Sequence, residues 1–388
     1  MSELHGKERA GDKRRPGRLV YSAAPFLLYW ELTRACDLAC RHCRAEAIAQ
    51  RDPGELSTAE ARGLLDKIQG FGDPTPHVVL TGGDPLKRPD CFGLLEYGAR
   101  LGLRMSVAPS GTTALTPEVI QHLKAVGVES IALSVDGSTA ERHDSFRGVP
   151  GCFAWTVKAA QLARREGLPV QINTLAAAET EADLGAIYRL VSELSPRRWS
   201  LFFLVAVGRG QALGEVTPER CEAIHHWLYD RSKEAPFVMA TTEAPHFRRV
   251  AVTRMTAEGI PWASIRQTPM GRGFGIRDGN GIMFISHTGD VNPSGFLPLK
   301  AGNVRTADVV EIYRASEIFV DIRQTTRLKG RCGRCPFKEI CGGSRARAYA
   351  KTGDPLETDP LCAYEPGKNT GRFTESLDII RKALTTGK

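Results

Sequence analysis

The stretch Trp30-Glu-Leu-Thr-Arg-Ala-Cys36-Asp-Leu-Ala-Cys40-Arg-His-Cys43 decides the reading of this chain. It places three thiols at C-x3-C-x2-C spacing directly after an apolar run over 25–33 that reads as a buried strand. Three thiolates so spaced can hold three irons of a cubane cluster. Cluster ligation normally takes four cysteines, so a short loop with three leaves one iron open to something other than protein. Zinc is the alternative, with His42 as a fourth donor, since structural zinc usually takes four protein ligands.

Outward from the loop, apolar strand-like runs alternate with amphipathic helical stretches. Ser57-Thr-Ala-Glu60 is a capping box that opens a helix reaching about residue 71. Strands are expected over 77–81, 104–109, 130–135, 169–175 and 199–207, with helices over 89–101, 116–126, 153–166 and 182–194 between them. Six consecutive strand–helix units imply a parallel sheet with right-handed crossovers. They are too few to close an eight-stranded barrel. The expected fold class is therefore α/β, a partial (β/α)6 barrel with its chemistry at the carboxyl ends of the strands. A helix near 218–231 follows, and after it the pattern changes to a hairpin over 281–293. The chain then reaches Cys332-Gly-Arg-Cys335-Pro-Phe-Lys-Glu-Ile-Cys341, with Cys362 beyond. Four thiols at C-x2-C-x5-C-x20-C make a complete cluster site, and zinc again is the alternative.

The cysteine loop, the strand-end segment Gly82-Gly83-Asp84-Pro85 and the strand-end segment Ser134-Val-Asp136-Gly137 occur in the order seen in the radical S-adenosylmethionine (SAM) superfamily, which this chain resembles. The resemblance spans about residues 24–366. It implies that Cys36, Cys40 and Cys43 bind a [4Fe–4S] cluster whose open iron chelates the amino and carboxylate groups of SAM. It further implies that an electron from the cluster releases a 5′-deoxyadenosyl radical, which takes a hydrogen from substrate. Gly82, Gly83 and Asp84 (where the family has Glu), Ser110, Ser134, Asp136, Arg147 and Asn173 are the implied SAM-binding residues. Lys158 is the alternative to Arg147. A bidentate guanidinium suits the carboxylate.

Cys332, Cys335, Cys341 and Cys362 resemble the SPASM/twitch-type C-terminal extension, which implies one auxiliary [4Fe–4S] cluster that takes or relays an electron, or binds substrate. Ser294 in Asn292-Pro-Ser294-Gly and Arg345 in Gly342-Gly-Ser-Arg345 stand where the seven-cysteine version has thiols, so a second auxiliary cluster is not expected. Domains are expected as a basic, disordered arm over 1–23, a radical SAM core over 24–235, a linker over 236–280 and an auxiliary-cluster domain with a tail over 281–388.

His42-Cys43 together with the single four-cysteine site resembles the haem and haem d1 branch, which implies modification of propionate side chains on an iron tetrapyrrole. The alternatives are a maturase of ribosomally made peptides and a non-catalytic iron–sulfur electron carrier. Glu243 and His246 are candidates for handling a proton at the barrel mouth. Arg248, Arg249 and Arg345 are candidates for holding a substrate anion. Cys91, Cys152 and Cys221 lack ligand spacing and read as buried apolar residues. His225 and His226 read as surface.

Composition fits a globular protein, with 42% hydrophobic and 25% charged residues. No apolar run reaches the roughly 18 residues of a membrane helix, and no secretory signal is visible. Ten cysteines grouped in metal-like spacings argue for a reducing cytoplasm. The net charge is +8, of which residues 1–18 supply +3 from six basic and three acidic side chains. The remainder suits a small anionic substrate or a peptide, and no basic, aromatic-interleaved strip calls for nucleic acid. The implied electron source is a low-potential flavodoxin- or ferredoxin-type donor.

Overall fold

The computed structural model describes residues 20–367. The basic arm before residue 20 and the tail after residue 367 lie outside the described residues.

Among the described residues ten strands form one sheet: β1 (Leu27–Thr33), β2 (His77–Gly82), β3 (Arg104–Val107), β4 (Ile131–Ser134), β5 (Val170–Ala176), β6 (Arg198–Phe203), β7 (Val238–Thr242), β8 (Ile282–Ile285), β9 (Asp290–Asn292) and β10 (Gly302–Asn303). Their spatial order is β10-β9-β8-β1-β2-β3-β4-β5-β6-β7. From β8 through β1 to β7 every pairing is parallel, while β9 and β10 add antiparallel pairs at one edge. The order has two ends, so this is the expected partial barrel.

Alternation along β1 shows how the sheet sorts its side chains. Leu28, Trp30 and Leu32 are fully buried in the main core. Tyr29, Glu31 and Thr33 take the other face, where Tyr29 lies within electrostatic reach of Arg198 on β6 and of Glu243. Helices cover the apolar face. In Leu184–Leu194 the buried positions are Leu184, Ile187, Val191 and Leu194, a stripe at helical spacing. Each such side chain contributes about 1.5–3 kcal/mol on burial. Trp199 on β6 packs against Tyr188 and Trp227 of two covering helices and donates from Nε1 to Thr174 Oγ1 at 2.9 Å. The capping box at Ser57 is present with both bonds.

Two boundaries differ from the expectation. The segment 236–280 is structured: it supplies β7, which pairs with β6, and the helices Phe247–Ala257 and Trp262–Gln267. The hairpin after residue 281 continues the same sheet, because β8 registers Leu27 to Ile282 through Trp30 to Ile285. Its second strand returns antiparallel.

Candidate active site and cysteine centres

The loop carrying Cys36, Cys40 and Cys43 is strapped to its surroundings by backbone bonds. Cys36 N donates to Ile48 O at 2.9 Å, Ala39 N to Arg147 O at 3.1 Å and Arg41 N to Phe146 O at 3.0 Å. From the far side, Arg209 N donates to Cys43 O and Arg209 Nε to Cys40 O, at 3.1 and 2.9 Å. Gly208 makes this approach possible. Its φ of +53° suits glycine, and a Cβ there would lie 2.7 Å from Cys43 O.

Each sulfur receives a donor. Leu38 N donates to Cys36 Sγ at 3.3 Å, Ala47 N to Cys43 Sγ at 3.4 Å and Arg147 Nη1 to Cys40 Sγ at 3.5 Å. Cys36 Sγ also meets Ser110 Oγ at 3.2 Å. Three sulfurs that line one cavity and accept N–H bonds are a donor set suited to cluster thiolates.

That cavity is open to solvent and spans about 970 Å³. Of the sequence-predicted cofactor residues, Gly82, Gly83, Ser110, Ser134, Asp136, Arg147 and Asn173 all line it. They come from the ends of four neighbouring strands, β2 to β5, and the segments that follow them. Arg147 is ion-paired with Asp136 as well as bonded to Cys40. Burial favours the neutral acid at Asp136, but Arg147, with the two nearby histidines and the Leu175 N–H, together outweigh it and hold the carboxyl below the usual range. His42 lines the cavity stacked on Phe146, and burial lowers its pKa to about 4, so it is neutral. Asp84 departs from the expectation. Its Oδ1 accepts from Leu86 N at 3.1 Å and caps the turn at Pro85–Lys87, and the residue does not line the cavity. Burial raises its carboxyl to about 6. Lys158 does not line the cavity either.

Cys332, Cys335, Cys341 and Cys362 surround a second cavity, shared with His246, Arg249, Gly342, Gly343 and Tyr364. Cys332 Sγ accepts from Asp359 N at 3.4 Å and Arg345 Nη2 at 3.6 Å, and Cys341 Sγ accepts from Gly343 N at 3.4 Å. Gly342 and Gly343 have φ of +74° and +68°, and a Cβ on Gly343 would stand 3.2 Å from Cys332 Sγ. Burial pushes the Cys335 thiol up to about 12 and the Cys362 thiol to about 11, so metal loading here must release protons. All four sulfurs facing one space fit a four-thiolate cluster. Ser294 Oγ instead accepts from Phe296 N, and Arg345 is wholly committed to carbonyls and Cys332.

The remaining candidates are placed differently from the expectation. Arg345 is 0% exposed and donates to the carbonyls of Gly343, Pro355 and Glu357. Arg248 donates to Ile276 O and Ile340 O. Arg249 is buried, ion-paired with Glu222, and borders the four-cysteine cavity. None of the three lines the cavity beside the cysteine loop, because a guanidinium near buried loops is consumed by carbonyls and carboxylates there.

Glu243 and His246 do not line it either. Glu243 has φ of +57°, and its carboxyl meets Ser344 Oγ and Asp278. Burial, with Asp278 adding to it, pushes that carboxyl well above the ordinary range. His246 Nε2 faces Cys221 Sγ at 3.2 Å, and His225 Nε2 lies 3.8 Å from the same sulfur. His225 is fully buried, not at the surface, and only His226 is exposed there. The i,i+4 spacing of Cys221 and His225 was the available signal. Sequence reasoning also missed Arg44, Val205 and Phe296 in the cavity wall. Adjacency to Cys43 marked Arg44; nothing local marked the other two.

A C-x3-C-x2-C loop at the carboxyl end of the first strand of a partial parallel barrel, opening on a cavity lined by the next four strand ends, defines the radical SAM class. The profile of the Radical SAM superfamily matches residues 30–191. A structure of Streptococcus suis SuiB bound to S-adenosylmethionine has the same fold, with a TM-score of 0.68 at 18% identity over 88% of this chain and 78% of that one. An "AdoMet-dependent heme synthase" of Methanosarcina barkeri is 41% identical over 90% of this chain and 99% of its own length. One of Oleidesulfovibrio alaskensis is 39% identical over 89% of each chain. The chain belongs to the radical SAM family that these heme synthases form. It is an enzyme of that class, with a SAM-binding [4Fe–4S] cluster. Among the described residues no helix is long and apolar enough to cross a membrane.

Proposed function

We propose that the protein modifies propionate side chains of an iron tetrapyrrole, beginning with removal of a hydrogen atom from the arm. The observation that carries this reading is the near full-length likeness to heme synthases, at an identity well above that of the peptide-binding structure of the same fold.

Cys36, Cys40 and Cys43 would hold the cluster, which when bound supplies the electron that cleaves SAM to the 5′-deoxyadenosyl radical. The chain's own part is placement. Gly82 and Gly83 let backbone approach the cofactor closely, Ser110 and Asn173 offer hydrogen-bonding groups beside them, and Asp136 is held ionised by Arg147. Leu204, Val205 and Phe296 close the cavity with apolar surface that excludes water from a reactive intermediate. Loss of carbon dioxide from a propionate that has given up a hydrogen atom also releases one electron. Cys332, Cys335, Cys341 and Cys362 would hold an auxiliary [4Fe–4S] cluster, which supplies a one-electron acceptor or relay. A flavodoxin- or ferredoxin-type donor and a cytoplasmic setting complete the proposal. None of the ten cysteines is joined in a disulfide and seven stand in the two cluster sites, which supports a reducing compartment.

The test is titration of iron coproporphyrin III into the reconstituted protein, following the Soret band and 5′-deoxyadenosine formation. A spectral shift with substrate-dependent deoxyadenosine is expected. No shift, with turnover on a short peptide instead, would replace this reading by the maturase one.

A further inference from the structure

Arg44 follows the third cysteine of the loop and lines the cavity beside it. Its guanidinium lies over the Phe284 ring, 4.7 Å from the centroid, and its Nη2 donates to Glu31 Oε2 at 2.8 Å. That is its one hydrogen bond among the described residues, while a guanidinium carries about five N–H donors. The other arginine lining the cavity, Arg147, is committed to Asp136 and Cys40. Arg147 keeps only its buried Nε without a partner, so among the described lining residues Arg44 is the cation with more donors to spare. A planar fork with free donors at the wall of a cavity matches a carboxylate.

The partner on Arg44 does not neutralise it alone. Glu31 also meets His287 Nδ1 through Oε1 at 2.7 Å, and His287 Nε2 faces Asp52 Oδ2 at 3.4 Å. Glu31 is thus divided between two cations, one from the cysteine loop and one from the turn after β8. With His287 protonated, Arg44 and His287 balance Glu31 and Asp52; without that proton the group is net negative and opposes an incoming anion.

Position separates this group from the cofactor residues. Arg44 contacts Phe284 on β8, and its Nε stands 3.1 Å from where a Cβ on Gly295 would lie. Those elements flank β1 on the side opposite to β2 and the following strands, whose ends carry the SAM-binding candidates.

We propose that Arg44 is the docking point for a carboxylate of the substrate, held at the cavity wall by Glu31 and His287. The proposal rests on the propionate reading above and deepens it. The groups facing His287 are Glu31 on β1, Asp52 after the cysteine loop and Asp290 on β9. Burial opposes charging its ring, but Glu31 and Asp52 outweigh burial and raise its pKa. The protonated ring, and with it that balance of charge around Arg44, is lost as pH rises through that raised value.

The experiment titrates iron coproporphyrin III and its tetramethyl ester into wild-type, Arg44→Met and Arg44→Lys proteins, with SAM affinity measured in parallel. Affinity of Arg44→Met for the tetra-acid should fall about ten- to a hundredfold, the loss of one charge-assisted hydrogen-bonding partner. The ester should bind all three proteins alike, and Arg44→Lys should fall between, keeping the charge without the fork. Wild-type affinity for the tetra-acid should weaken as pH rises through the His287 titration, and His287→Gln should flatten that profile. Unchanged tetra-acid binding by Arg44→Met overturns the proposal. A loss confined to SAM affinity also overturns it, because the carboxylate is then the cofactor's. If wild type binds neither porphyrin, the propionate reading itself has failed and this assignment falls with it.

Discussion

Replacing Gly83 by alanine tests whether the cofactor loop and the cysteine loop form one rigid unit. A Cβ at Gly83 would lie 2.4 Å from Ala35 O and 2.6 Å from Arg34 O. Ordinary carbon–oxygen contact begins at about 3.3 Å, so the methyl group is roughly 0.9 Å too close. Both obstacles are backbone and cannot rotate away. The two loops are also tied directly, by Gly83 N to Thr33 O at 2.8 Å and Asp84 N to Ala35 O at 2.7 Å. The added carbon must therefore lever the backbone next to Cys36 outward by nearly its own overlap. Overpacking of this size costs about 1–3 kcal/mol, which a chain with this much core survives. Misplacing reacting groups by about 1 Å costs on the order of a hundredfold in rate. Gly83→Ala should thus keep its C-terminal iron and lose SAM cleavage by about that factor, read as 5′-deoxyadenosine from dithionite-reduced protein. Cleavage equal to wild type, with full iron, would refute the rigid coupling of the two loops.

Anaerobically reconstituted protein should hold about eight irons, and joint Cys332→Ala and Cys335→Ala replacement about four, with SAM cleavage retained and product lost. Zinc without iron at the C-terminal site, or spectra of a third cluster in wild type, would contradict this. The raised Glu243 carboxyl gives a pH prediction. Between its unfolded and folded pKa the folded chain holds the extra proton, so stability declines as pH rises through that window. Glu243→Gln removes that group, and its melting temperature should fall less than wild type's as pH rises above the ordinary glutamate range of about 4.3. Parallel pH profiles for the two proteins would show that Glu243 is ionised in the fold.

What was legible in the sequence followed local rules. The cysteine loop announced itself by spacing, the Ser57 helix by its cap, and the helix Leu184–Leu194 by its apolar stripe. β7 was missed because five residues after a proline carry little periodic signal, and its identity as a strand depends on pairing with β6. The arginines failed for a different reason. Arg345, beside a cysteine motif, and Arg248, in a segment expected near the barrel mouth, suggested anion binding, whereas the loops that fold over the four-cysteine site bury carbonyls that need donors. Arg44 is the converse case. Its meaning depends on Glu31 and on His287, which lies 256 residues from Glu31 in sequence. No local pattern could join them.

The most direct measurement of the central claim uses iron coproporphyrin III deuterated in its propionate arms. Reduced, reconstituted protein is given this substrate with unlabelled SAM, and the 5′-deoxyadenosine is weighed by mass spectrometry. The account predicts one deuterium carried from the propionate into 5′-deoxyadenosine, together with a porphyrin product altered in that arm. Unlabelled 5′-deoxyadenosine and unchanged porphyrin, under conditions where SAM is cleaved, would contradict it.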